Sequence, residues 1–166
     1  MSDDETDLSE MPGEDEATAR AIAVLAADVG TWDTELEITP YPGADPVRTA
    51  GRAVNRLVGG RWLVSDQATD SGFEGHGVYG WDPAAGTFVS AWVDAMGGGI
   101  ARGTGTWDAG AGTMTYEVTV DYGGRSVSYR EITERHADGS RTYRNVAPTP
   151  DGAVHETIRG TYRPRA

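Results

Sequence analysis

Cysteine and lysine are both absent from this 166-residue chain, and each absence closes off chemistry. Without cysteine there are no disulfides, no thiolate nucleophiles and no thiolate metal or iron–sulfur sites. Without lysine, all 14 basic side chains are Arg, and a guanidinium that never becomes neutral cannot form the Schiff base that anchors pyridoxal phosphate. No apolar run approaches the ~20 residues of a membrane span, and the N-terminus has no basic-then-apolar signal pattern. A cytoplasmic protein with no membrane partner is the expectation.

Several site signatures are missing as well. There is no G-x-S-x-G, and no Gly-rich loop leads into a phosphate-binding helix. His76, His136 and His155 are scattered without ligand spacing, so no metal is expected. The chain has no basic stripe to neutralise phosphates, which argues against nucleic acid as a partner. With no cofactor expected, any enzyme here has to be cofactor-free.

What the chain has is acid, unevenly placed. Residues 1 to 16 carry eight acids and no base, so the formal charge of −12 falls to −4 in the remainder. "MSDDETDLSEMPGEDE" has the composition of a solvated, disordered leader, and residues 17 to 166 are read as the folded domain. "EATARAIAVLAADVG" then places Ile22, Leu25, Ala26 and Val29 on one helical face, predicting a helix over 17–29 stopped by Gly30. From Thr31 onward the pattern has period two, with Gly/Pro/Asp turns such as "VGGR", "WDPAAG", "YGGR" and "HADGS" every ten to fifteen residues. The expected fold is all-β: one antiparallel barrel of about ten strands with a short N-terminal helix.

Turn length decides which side chains share a face, because a slip of one residue inverts a strand. A two-residue turn at Gly123-Gly124 pairs Tyr122 with Arg125, Val118 with Tyr129 and Tyr116 with Glu131. The same rule at Gly59-Gly60 pairs Leu57 with Trp62 and Ala53 with Asp66. A four-residue loop over Pro83–Gly86 sets Gly77 against Trp92 and Gly75 against Asp94, and a tight turn at Gly97–Gly99 brings Asp94 across from Arg102. Glycines opposite an indole are either a packing device or room for a ligand against the ring. The predicted inward site is thus Trp62, Asp66, Tyr79, Trp92, Asp94, Met96, Arg102, Tyr116, Tyr129 and Glu131. Inward charges are the informative part, since an apolar core rarely needs several acids.

The junction "VLAADVGTW" puts Gly30-Thr31-Trp32 between helix and first strand, which resembles the Gly-x-Trp opening of lipocalins and other calycins. In that superfamily a last-strand Arg covers the Trp by a cation–π contact, and "GTYRPR" offers Arg163. Together "VGTWDTELEI", "GGRWLV", "GHGVYGWDP", "FVSAWVDAMG" and "GTYRPR" are similar to the bacterial DUF1579 family over about residues 18 to 165. The resemblance implies a calycin-like barrel, carries no established activity, and brings the superfamily habit of holding small apolar molecules. A nitrobindin-like haem barrel takes an axial His on its last strand. Tyr162 stands there instead, and His155 lies earlier on the face read as wet.

Three functional readings follow. The first is a binding barrel for a small hydrophobic or aromatic molecule with a polar edge. The second is a cofactor-free cyclase, isomerase or lyase with Asp94 or Glu131 as acid or base, Tyr116 and Tyr129 as donors and Arg102 as oxyanion clamp. The third is an interaction module with a filled barrel. Outward His76, Val78, Val89, Ala91 and Val93 form an apolar row that predicts a homodimer.

Overall fold

The structure is a computed structural model that describes residues 15–165. The acidic leader lies outside the described residues except for Asp15 and Glu16, which belong to the first helix. This helix, α1 (Glu16–Ala26), begins where the Asp15 carboxylate accepts the Thr18 backbone N–H at 2.6 Å. The cap satisfies one orphan donor of the first turn, and Glu16 complements the positive end of the helix. The helix ends three residues before the predicted limit. Its buried face is Thr18, Ala21 and Leu25, whereas Val29 is 46% exposed.

Ten strands follow: β1 (Gly30–Ile38), β2 (Val47–Val58), β3 (Trp62–Thr69), β4 (Glu74–Asp82), β5 (Thr87–Asp94), β6 (Ala101–Asp108), β7 (Thr113–Tyr122), β8 (Arg125–Arg135), β9 (Arg141–Pro148) and β10 (Val154–Pro164). Each pairs antiparallel with its sequence neighbours, and β10 pairs with β1 to close the barrel. Helix α1 plugs one end, where Ala21 and Leu25 pack against Leu63, Phe88 and Met114 with Trp81 and Trp107 beside them.

The plug is tied down by two arginines. Arg135 Nη2 donates to the Val24 carbonyl at 2.6 Å and Arg141 Nη2 to the Ala27 carbonyl at 2.7 Å, satisfying acceptors at the helix C-terminus. Both guanidiniums also meet the Asp28 carboxylate. Arg141 lies over the Trp32 ring at 3.8 Å and Arg135 over Trp107 at 4.5 Å. The expected Trp32–Arg163 contact is therefore corrected. Arg163 pairs with Asp33 on the outward parity of β10 and bridges to Glu35, so strand alternation keeps it off the face that carries Trp32.

Two predicted registers hold residue for residue. Gly123-Gly124 sets Tyr116 opposite Glu131, and Pro83–Gly86 sets Gly77 opposite Trp92. Two others do not. At Gly59-Gly60 both glycines have positive φ and the Arg61 N–H bonds the Val58 carbonyl at 3.1 Å, but Arg61 is an extra residue and Val58 pairs with Trp62. This slip turns Leu63, Ser65 and Gln67 inward, burying Leu63 beneath α1, and turns Trp62 and Asp66 out. Between β5 and β6 the connection spans residues 95–100, so Arg102 pairs with Ala91 on the outer face and does not meet Asp94.

Candidate ligand site in the barrel lumen

Alternation along the strands brings one polar cluster into the middle of the barrel. Glu131 on β8 stands across from Tyr116 on β7 and Asn145 on β9. Tyr129 precedes it by two residues on the same face of β8. Tyr143 on β9 pairs with Thr133 and Gly160, and Tyr162 on β10 pairs with Thr34. Tyr79 on β4 completes the ring, its centroid 5.8 Å from that of Tyr116, while Tyr143 and Tyr162 meet edge-on at 6.3 Å. The Tyr162 hydroxyl donates to Gln67 Oε1 at 3.4 Å.

Enclosure by protein pushes the Glu131 carboxyl up to about 7, and the Tyr143 hydroxyl, donating toward the carboxylate, opposes part of that rise. Burial, with the nearby Glu131 charge second, raises Tyr79, Tyr116, Tyr129 and Tyr143 above the usual phenol range, so all four are neutral donors at physiological pH. The Tyr116 hydroxyl is buried and has no hydrogen-bond partner, and neither do inward Thr34 Oγ1 and Asn55 Oδ1.

The inward polar side chains keep accessible surface. Glu131, Tyr79, Tyr143 and Tyr162 point inward and sit deep among protein atoms, yet each is only half-buried, and Tyr129 beside them is less enclosed. The surface they keep faces the inside of the barrel. It reaches solvent at the end opposite α1, where inward Val127 and Tyr122 are 40% and 45% exposed. Asp94 stands at this mouth, accepting the Trp92 indole N–H at 3.0 Å and the Met96 N–H at 2.9 Å.

Of the residues predicted for the site, Tyr79, Trp92, Tyr116, Tyr129 and Glu131 share the lumen and Asp94 its mouth. Trp62, Asp66 and Arg102 face outward for the register reasons given above, and Met96 lies exposed in the β5–β6 connection. Asp66 instead bonds His76 on the outer face at 2.6 Å. Tyr143, Tyr162, Gln67 and Asn145 are the lumen residues that the sequence reading did not assign.

The glycines of β4 are occupied by the indole. A Cβ built on Gly75 falls 2.1 Å from Trp92 Cζ2, and one on Gly77 falls 2.8 Å from Trp92 Cε3. Trp92 thus lies across both positions and no room remains between them. Gly75→Val should push the ring off, break its bond to Asp94 and cost ~1–3 kcal/mol by overpacking. A melting temperature within a degree of the parent would show that the indole moves aside freely.

A groove of ≈ 560 Å³ runs over β2–β5 as far as the barrel mouth, where its lining includes Arg52, Asp66, Gln67, Gly75, His76 and Asp94. Its one close polar pair, His76–Asp66, is solvent-exposed, whereas the strongly shifted carboxylate lies in the lumen. The lumen is therefore the better candidate. Among the described residues no three His, Cys, Asp or Glu side chains come together to hold a metal, and no helix is long and apolar enough to cross a membrane. His136 bonds Thr142 Oγ1 and His155 the Thr39 carbonyl.

Residues 18–164 match the model of a protein family of unknown function, DUF1579. The chain belongs to this family. No curated protein matches it. Among solved structures, this DUF1579 chain is similar to the crystal structure of Rv2717c from M. tuberculosis, with a TM-score of 0.66 at 14% identity. The match covers 88% of this chain and 98% of that one. Likeness at that identity concerns the fold alone, and the closed ten-strand barrel is consistent with the calycin resemblance.

Proposed function

We propose that this DUF1579 barrel binds a small organic molecule in its lumen, with an apolar or aromatic body and a polar edge directed at Glu131 and the tyrosine hydroxyls. The observation that carries the reading is a set of inward polar side chains that lie deep among protein atoms and still keep accessible surface. Leu36, Trp92, Val118 and Ile158 supply apolar wall beside a few convergent polar groups, the usual make-up of a small-molecule site.

Isothermal titration calorimetry with 2-naphthol, a ring carrying one hydroxyl, tests this directly, alongside mass spectrometry of protein purified from its native host. One saturable site per chain is expected. Ser65→Phe, which sets a ring into the lumen from β3, should abolish binding while melting stays cooperative. Unaltered binding by that variant, or no binding and nothing co-purified, removes the reading.

A second reading rests on Glu131 itself. A carboxyl poised near neutral pH beside neutral hydroxyl donors suits acid–base catalysis on the bound molecule, without the Arg102 clamp. Turnover of a co-purified ligand that stops in Glu131→Gln supports it, and continued turnover excludes Glu131 as the acid or base.

A further inference from the structure

We propose that the lumen ligand carries a positive charge, a protonated amine or quaternary ammonium seated against Glu131 within the ring of Tyr79, Tyr116, Tyr129, Tyr143 and Tyr162. This rests on the lumen-binding reading and names its ligand class. Glu131 is an enclosed carboxylate with no basic side chain against it among the described residues. The cations nearest the lumen, Arg135 and Arg141, are committed to Asp28 at the plugged end.

The groups that face Glu131 from other strands are all tyrosines or uncharged. β7 contributes Tyr116, β9 Tyr143 and Asn145, β10 Tyr162, β4 Tyr79 and β3 Gln67, while β1, β2 and β6 turn Thr34, Leu36, Ala53, Gly103 and Gly105 inward. Asp94 at the mouth adds a second negative charge along the way in. A carboxylate left alone in such surroundings lacks the partner that makes burial tolerable, and an organic cation supplies it.

The surrounding aromatic side chains add to this. Aromatic faces attract a cation within about 6 Å of the centroid, and a desolvated setting enlarges the effect. A carboxylate ringed by aromatics suits an organic cation, whose apolar substituents can pack against the rings while the charge meets Glu131.

The test compares 2-phenylethylammonium with 2-phenylethanol, which has the same ring and chain without charge, by titration calorimetry at pH 6 and pH 8. At pH 8 the ammonium should bind at least tenfold more tightly than the alcohol, and that ratio should fall to about one in Glu131→Gln. With a carboxyl near 7, ionisation rises from about a tenth to about nine-tenths over this range while the amine stays protonated, so ammonium affinity should increase about tenfold. Equal binding of the two probes overturns the cation assignment and leaves the lumen reading standing. A preference that survives in Glu131→Gln assigns it to the acidic surface and also overturns the proposal. Failure of both probes at millimolar concentration overturns the cation assignment, and the 2-naphthol titration then decides the lumen reading separately. Should Glu131→Gln not fold, the pH series on the parent decides, and a flat profile between pH 6 and pH 8 overturns the proposal.

Discussion

Asp28→Ala should lower the melting temperature by about 10 °C or more. The carboxylate receives Arg135 at 2.7 Å and also pairs with Arg141, whose side chain is only 9% exposed. Removing it leaves two adjacent guanidiniums facing each other in a setting with little water. Breaking a buried pair from one side typically costs ~3–5 kcal/mol, because the surviving charge is uncompensated. For a domain of this size each kcal/mol shifts melting by about 2–4 °C. The damage should spread, since the same arginines cap the Val24 and Ala27 carbonyls and cover Trp107 and Trp32. Thermal melts followed by near-UV circular dichroism report both the midpoint and the tryptophan environment. A shift under 2 °C would mean that water replaces the carboxylate and that the clasp contributes little.

The second large effect is a pH dependence of stability. Glu131 titrates near 4.5 when unfolded and about 7 when folded. Between those values the unfolded chain has released the proton and the folded chain still holds it. Unfolding is then favoured as pH rises, and the folded state loses about 3 kcal/mol from pH 4.5 to about 8, with little further loss from this group above that. Other carboxylates titrate too, so the informative quantity is the difference between the parent and Glu131→Gln, each unfolded in urea at pH 5 and pH 8. The variant should gain about 3 kcal/mol on the parent between the two conditions. Parallel profiles would mean that Glu131 stays well hydrated and ionises normally in the folded protein.

Fold class was legible because it depends on period and punctuation, which the chain repeats from Thr31 to its end. Where a turn is set by two left-handed glycines or by Pro83 and Gly86, counting outward from it places every partner correctly, as with Tyr116 and Glu131. The Gly59-Gly60 turn has the same glycines yet takes in Arg61. The hint was Leu63, an aliphatic that the shorter turn leaves in solvent and the longer one places beneath the helix. Arg102 was misplaced because three consecutive glycines, Gly97 to Gly99, allow a loop of any length and contain no register information. The Trp32 contact went to Arg141 because a cation–π partner is chosen in three dimensions, and nothing local to Arg141 marks it. Three of the five tyrosines, Tyr79, Tyr116 and Tyr129, were read from the sequence, and a fourth was recoverable. Pairing Arg135 with Arg141 around "HADGS" sets Asn145 opposite Glu131 and puts Tyr143 on the same face.

The row of Val78, Val89, Ala91 and Val93 on the outer face acquires a different meaning once the barrel is seen to be closed. Because β1 and β10 are joined, every strand already has a neighbour on each side, and no line of free amides is left to template an added strand. Whatever meets those valines does so through side chains alone. Contact there lacks the directional, self-repeating backbone hydrogen bonds that turn an open sheet into a fibre, so the barrel can keep an apolar outer face at low risk of runaway aggregation.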